Sequence, residues 1–232
     1  MRWEDILFTQ GFGTRYDCRT MILAGQVSVD GVVHDSLEEE VDTEGLQFTV
    51  RGETWPFFEK AIVALHKPDG YECSAKPSAH PSVMTLLPAP LRRRGLQPVG
   101  RLDVDTTGLL LFTDDGRLQH RLIHPKRHVP KVYEVFVKHP TTERFFEQLR
   151  TGVVLDDSPV PVRAQVVEPV DERHFRMTLT QGKYHQVKRM VAAASNRVER
   201  LHRSAFGAYT LPETLKPGEW VWLSGPEAIL GA

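Results

Sequence analysis

Thiols are scarce in this chain. There are two cysteines in 232 residues, Cys18 and Cys73, far apart and in no C-x-x-C pair. That argues against a thiolate zinc site and fits a reducing compartment. Long apolar runs are missing as well: no stretch approaches the roughly 20 apolar residues of a membrane span, so no membrane partner is expected. Met1-Arg-Trp-Glu-Asp5 carries acids where a secretory leader would be basic and then apolar, and a cytoplasmic location is the expectation. Neither sign of charge dominates, the formal net charge being −1. There is no glycine-rich phosphate loop and no dinucleotide fingerprint, so no cofactor is expected. His120, His124 and His128 are spaced four apart, as metal ligands on one helix face would be, but Pro125 interrupts that helix and no acid follows in phase. No metal site is expected from them. What remains is ordinary for a globular protein, with 41% apolar and 25% charged residues.

The distribution of charge says more than its sum. Residues 117–131 hold no acid, yet Arg117, Arg121, Lys126, Arg127 and Lys131 are basic. Residues 183–203 hold Lys183, Lys188, Arg189, Arg197, Arg200 and Arg203 against the single acid Glu199. Clustered cations of this kind form an electrostatic footprint for phosphates, or simply two solvated faces.

Residues 1–55 read as a small module. Trp3, Ile6 and Leu7 suggest a short helix ended by Gly11 and Gly13. Thr14 followed by Asp17 reads as a capping box opening a second helix, with Cys18, Met21 and Ile22 as its apolar stripe and Gly25 at its stop. Gln26-Val-Ser-Val-Asp-Gly-Val-Val33 then alternates around Asp30-Gly31, a hairpin signal. Residues 51–56 read as a linker. From about residue 60 to 232 the pattern becomes strand-rich: residues 61–66, 109–112, 131–138 and 175–179 read as strands, and 143–150 and 184–194 as helices. The spacers are often too short for parallel crossovers, so this is an α+β chain with a mostly antiparallel sheet.

The stretch richest in chemistry is Gly100-Arg-Leu-Asp-Val-Asp-Thr-Thr-Gly-Leu-Leu-Leu-Phe-Thr-Asp-Asp-Gly116. It sets Asp103 and Asp105 in a loop at the lip of an apolar strand, a natural position for a carboxylate nucleophile or base. By itself Asp-x-Asp fits calcium ligation, turn chemistry or a glycosidase-like carboxylate pair equally well.

Four motifs in order remove that ambiguity. Arg101-Leu-Asp103-x-x-Thr-Thr-Gly-Leu109 resembles the catalytic motif of the RsuA-type pseudouridine synthases. Leu65-His-Lys-Pro-Asp-Gly-Tyr71 resembles their entry strand, Lys131-Val-Tyr-Glu-Val135 their Lys-x-Tyr strand, and Gln181-Gly-Lys-Tyr-His-Gln-Val-Lys-Arg-Met190 their last motif. The first 55 residues resemble an S4 RNA-binding domain, with Arg15 and Arg19 placed for phosphate contact. The resemblance implies a pseudouridine synthase domain over residues 60–232. In it Asp103 is the catalytic carboxylate, Tyr133 stacks on the base and assists proton transfer, and Lys188 pairs with Asp103, keeping it ionised and oriented. It further implies RNA or substrate contacts from Arg101, Arg121, Arg127, Lys131, His185, Gln186, Arg189 and Met190, with Val187 packing beneath the base. His185-Gln-Val-Lys-Arg-Met190 is closer to the small-subunit branch of the family, whose product is pseudouridine 516 of 16S ribosomal RNA. The implied partner is therefore 16S RNA in an assembling particle, acted on by a monomer. Alternatives are a 23S-specific synthase of the same family and a non-catalytic ribosome-assembly protein.

Overall fold

The computed structural model describes residues 1–231 and divides into two compact units. The first comprises Met1–Ala61 together with Leu87–Gln97. The second comprises Ile62–Leu86 and the chain from Pro98 onward. The chain therefore enters the first unit twice, rather than crossing once near residues 55–60.

In the first unit, α1 (Trp3–Thr9) buries Trp3, Ile6 and Leu7, and α2 (Arg15–Leu23) buries Cys18, Met21 and Ile22. The capping box at α2 forms in full. The Thr14 hydroxyl accepts from the Asp17 N–H, and the Asp17 carboxylate accepts from the Thr14 N–H at 2.8 Å. Strands β1 (Val27–Val29) and β2 (Val32–Val33) make the expected hairpin, with Asp30 and Gly31 both at positive φ. Two more strands follow, β3 (Gln47–Val50) and β4 (Glu53–Pro56), completing a sheet ordered β2-β1-β3-β4. Residues 51–56 are thus not a linker. Arg51 and Gly52 form the turn of a second hairpin, and Trp55 pairs with Phe48 and is buried against the Phe12 ring at 5.5 Å. Burial of one tryptophan outweighs the polar look of its neighbours. The returning segment contributes α3 (Ala89–Arg93). Its C-cap residue Arg94 donates to Gln10 Oε1 at 2.7 Å and to the Phe58 carbonyl at 2.8 Å.

Strand β6 (Gln97–Pro98) spans the point where the chain passes from the first unit to the second. The second unit is built on β5 (Ile62–Lys67), β7 (Thr106–Thr113), β8 (Lys131–Val137), β9 (Val153–Leu155), β10 (Ser158–Val162), β11 (Val166–Asp171), β12 (His174–Leu179), β13 (Val198–Phe206), β14 (Tyr209–Thr210) and β15 (Trp220–Trp222). Its helices are α4 (Gly116–Ile123), α5 (Glu143–Thr151), α6 (Gln186–Ala193) and α7 (Glu227–Leu230). The main sheet runs β11-β12-β8-β13-β7-β5-β15, and every adjacent pair is antiparallel except β13 with β7. Strand β8 alternates strictly: Lys131, Tyr133, Val135 and Val137 point to the buried face. On one side of the sheet Ile62, Ala64, Leu109 and Leu111 pack with Leu118 and Leu122 of α4 and Ile229 of α7. Toward the β11 edge, Phe145 and Phe146 of α5 close edge-on over Phe175, each at 5.5 Å. No helix among the described residues is long and apolar enough to cross a membrane.

The parallel pairing of β13 with β7 in the main sheet constrains sequence tightly. Gly108 of β7 lies opposite Arg203 of β13, at φ +106, and a Cβ there would come within 2.3 Å of the Arg203 carbonyl oxygen. Backbone flanks the position, so nothing nearby yields easily. Gly108→Ala is expected to destabilise the protein by about 2 kcal/mol or more, combining the left-handed penalty with the overpacking. Urea denaturation monitored through the tryptophans measures it.

Candidate active site

The motif loop ahead of β7 is held from below by a buried lysine. Lys67, at the end of β5, is 0% exposed. Its ammonium donates to three carbonyls: Pro68 at 3.1 Å, Val104 at 3.0 Å and Thr106 at 2.8 Å. Gly70 N–H donates to the same Val104 carbonyl at 3.0 Å, and the Leu102 N–H is within 3.4 Å of the Cys73 sulfur. The chain between Leu102 and Thr106 is therefore fixed on both sides of Asp103, while the side chains of Asp103 and Asp105 stay free to point outward. Burial lowers the Lys67 pKa, opposed by the charges of Cys73, Asp69, Asp105 and Asp103.

Helix α6 brings the opposite charge. Lys188 Nζ lies 3.1 Å from Asp103 Oδ2 and 2.6 Å from Asp105 Oδ1. His185 Nε2 lies 3.1 Å from the other Asp103 oxygen. Asp103 is 26% exposed and Lys188 27%, so the pair is half-buried at the wall of a cavity rather than in open solvent. Desolvation alone would raise the Asp105 pKa and lower that of Lys188. Their mutual hydrogen bond reverses both, leaving Asp105 below and Lys188 above the ordinary values. His185 occupies the N-cap position of α6 in the left-handed region, φ +46, with no side-chain cap bond, and its ring stacks on Tyr184 at 3.8 Å. That backbone costs about 1–2 kcal/mol for a non-glycine residue, and it accompanies the histidine's placement against Asp103.

The cavity has a volume of about 650 Å³, ample for one nucleoside. Asp103, Arg101, Tyr133, Lys188, His185 and Gln186 all line it. Tyr133 is 9% exposed, buried on β8 with one surface toward the cavity. Arg101 is exposed at its edge. Gln186 is buried and accepts from the Lys183 N–H at 2.8 Å. Glu72 shapes another part of the rim: it accepts from the N–H groups of Ala79, His80 and Ser78, which drop its carboxyl to about 2.

The decisive comparison is with a known family. Residues 61–193, more than half the chain, match the family described as RNA pseudouridylate synthase. The chain belongs to that family. It is 36% identical to an uncharacterized RNA pseudouridine synthase of Bacillus subtilis, over 99% of this chain and 98% of the relative. It is 38% identical to the ribosomal small subunit pseudouridine synthase A of Vibrio cholerae, over 98% and 97%. A crystal structure of a pseudouridylate synthase superposes with a TM-score of 0.68 at 32% identity, covering 97% of this chain and 96% of the other.

Several residues of the synthase do not sit where the sequence alone put them. Met190 is fully buried in α6 and does not line the cavity; Val187 does. Both face inward on α6, one turn apart, and Met190 is the deeper of the two. Arg189 is bound to Asp157, 2.5 Å at its shorter contact, and does not line the cavity. Arg15 and Arg19 are exposed on α2 but are tied to Glu4 and Asp5 of α1 at 2.7–3.1 Å. Arg121 and Arg127 are exposed as expected. Lys131 is not on the basic surface: strict alternation in β8 turns it inward, where it is 8% exposed and lines the cavity. Lys67, Cys73 and Arg203 were not recognised as part of the site. Lys67-Pro68 within the Leu65–Tyr71 motif is the available signal for the first of these.

Two outcomes are expected. Lys67→Met takes the ammonium from three carbonyls, of which Val104 keeps the Gly70 N–H, and any carbonyl left dry costs about 1–3 kcal/mol. Its urea midpoint should fall, and amide exchange at Val104–Thr106 should accelerate more than in distant strands. Burial, helped by Arg203, also pushes the Lys131 amine down to about 8. Between about pH 8 and the ordinary lysine value the unfolded chain holds a proton that the folded chain has lost, so folding stability rises with pH across that window. The difference in stability between the wild type and Lys131→Met should shift in favour of the wild type from pH 8 to 10, measured by denaturation at each pH. A flat difference would show that Lys131 is not desolvated.

Proposed function

We propose that the cavity receives one uridine extruded from structured RNA and that Asp103 is the carboxylate that starts its isomerisation. The observation that carries this reading is the set of groups on one wall: Lys188 3.1 Å from Asp103, with Tyr133 lining the same cavity. Pseudouridine formation breaks the C1′–N1 bond, turns the base, and joins C1′ to C5. A carboxylate serves either as the nucleophile at C1′ or as the base that removes the C2′ proton to give a glycal. Both roles require an ionised Asp103 aimed by a fixed partner, which Lys188 supplies from one side and His185 from the other. Tyr133 offers a ring on which the base stacks and a hydroxyl for proton transfer.

A base inside an RNA stack cannot reach this carboxylate, so the enzyme flips it at a cost of a few kcal/mol. Arg101 at the cavity edge meets a phosphate or fills the gap the nucleotide leaves. Arg121 and Arg127, on the acid-free stretch, hold the flanking backbone. The first unit, with its two helices and hairpin, acts as an S4-like RNA-binding module. Because Arg15 and Arg19 are already paired with acids, their phosphate contacts require exchange of those partners and contribute modestly.

The target we favour is 16S ribosomal RNA at uridine 516. The support is the His185-Gln-Val-Lys-Arg-Met190 motif together with relatives named for the small ribosomal subunit, including that of Escherichia coli K12, 42% identical over 67% of each chain. Carbodiimide primer extension on ribosomal RNA from cells with and without the protein tests activity and target together. A stop near 516 should vanish without it. Asp103→Asn should abolish product while binding RNA within a few-fold of wild type. Lys188→Met should slow single-turnover conversion by roughly 100-fold or more, the size of losing one preorganised charge contact. An unchanged Lys188→Met rate would refute the ion-pair assignment.

A further inference from the structure

The innermost part of the cavity holds two cations and, among the described residues, no acid paired with them. Arg203 is 2% exposed and Lys131 8%, and both line the cavity. The polar partners found for them are backbone carbonyls: Arg203 Nε donates to Leu109 at 2.8 Å and Lys131 Nζ to Val129 at 3.0 Å. Both also lie over the face of the same ring, Phe206, at 5.2 and 5.1 Å. Arg203 Nη2 is buried with no hydrogen-bond partner, as is the Thr106 hydroxyl, which belongs to another cavity-lining residue. In the sheet Arg203 stands directly opposite Tyr133, and Phe206 opposite Lys131. Two desolvated cations side by side repel each other. That repulsion, added to burial, holds the Lys131 amine near 8. Natural folds do not bury unpaired charge without a counterpart, so an anion that enters this corner gains from both cations and relieves the strain between them.

We propose that Lys131 and Arg203 form a cationic floor that touches the detached uracil and stabilises the negative charge it carries between bond cleavage and bond formation. This rests on the reading of Asp103 as the group that attacks the sugar. When C1′–N1 breaks, its electron pair leaves with the base, giving an anion spread over N1, O2 and O4. C1′ meanwhile bonds to an Asp103 oxygen or, after loss of the C2′ proton to Asp103, becomes doubly bonded to C2′. C5 then attacks C1′, the carboxylate is released or returns its proton, the C5 proton departs and N1 gains one. Only the cleaved state carries charge on the base, so donors aimed at that charge act on the transition state rather than on uridine binding. The ligand is the uracil anion rather than a backbone phosphate, because the two cations are among the most deeply buried groups of the cavity while the exposed arginine, Arg101, is at its edge.

The test compares wild type, Lys131→Met, Arg203→Lys and Asp103→Asn in single-turnover reactions. One RNA carries uridine at the target. A second carries 5-fluorouridine, whose base is the better leaving anion, and is followed by loss of the fluorouridine. Lys131→Met keeps the apolar stem and removes a desolvated charge, so it is expected to fold, and its melting curve verifies that. We expect Lys131→Met to convert uridine about 100-fold more slowly with RNA affinity within about two-fold of wild type. The defect should shrink at least several-fold on the fluorouridine RNA. A structural defect would slow both substrates equally. Equal defects on both, an unchanged rate, or a loss confined to RNA affinity would overturn the proposal, the last pointing to a phosphate contact. Arg203→Lys keeps the charge and is expected to retain more activity than Lys131→Met; less would count against the floor. If Asp103→Asn retains turnover, the underlying reading fails. If only Asp103→Asn is inactive, that reading stands and the floor falls.

Discussion

The Lys188 ammonium sits between two carboxylates, and the geometry of the whole cavity follows from keeping it there. Asp103 arrives on a loop between Lys67 and β7, and Lys188 on the first turn of α6. Two separately folded segments must deliver opposite charges to within 3.1 Å. A half-buried ion pair adds little net stability, because desolvation offsets most of the attraction. Its value is directional: Lys188 holds one oxygen of Asp103 and His185 the other, which fixes the carboxylate at the cavity wall. Asp105 shares the same ammonium but is largely exposed, so it adds charge to the cluster without facing the substrate.

Much of the rigidity behind that contact comes from backbone groups. Lys67 gathers three carbonyls, those of Pro68, Val104 and Thr106, around one ammonium. Gly108 lets β7 and β13 approach closely enough to put Thr106 opposite Leu201 in the sheet, while Arg203 on β13 stands opposite Tyr133 of β8 on its other side. A loop tied down by an ammonium, followed by a strand pinned through a glycine, has little freedom left. Such immobility is what a carboxylate needs if it is to meet C1′ within a few tenths of an ångström.

The sequence made these features legible to different degrees. Helices α1, α2, α5 and α6, the first hairpin and the strand alternation of β8 rest on local periodicity and turn chemistry, and they stand in the structure where the pattern put them, whereas α3, α4 and α7 were not expected. The second hairpin escaped notice because Arg51-Gly52 looks like a polar break until Trp55 is seen to be buried. The convergence of Asp103 and Lys188 could be expected only from the motifs, since 85 residues of chain separate them and no local rule brings them together. Burial of Lys131 and Arg203 was hidden for a related reason. In a linear reading each belongs to a basic run, and charge runs usually mean solvent. Strand alternation overrode that prior for Lys131, and the central position of β13 overrode it for Arg203.

The double passage of the chain through the first unit limits how this molecule could be assembled from parts. Helix α3 and Arg94 belong to that unit, yet they are encoded inside the gene segment for the synthase core. A recombination event that moved only the leading sixty or so codons would deliver a fragment without α3 and Arg94, leaving Gln10 and Phe58 bonded to each other but without that guanidinium. Inheritance of this module intact therefore requires two junctions to be exchanged at once.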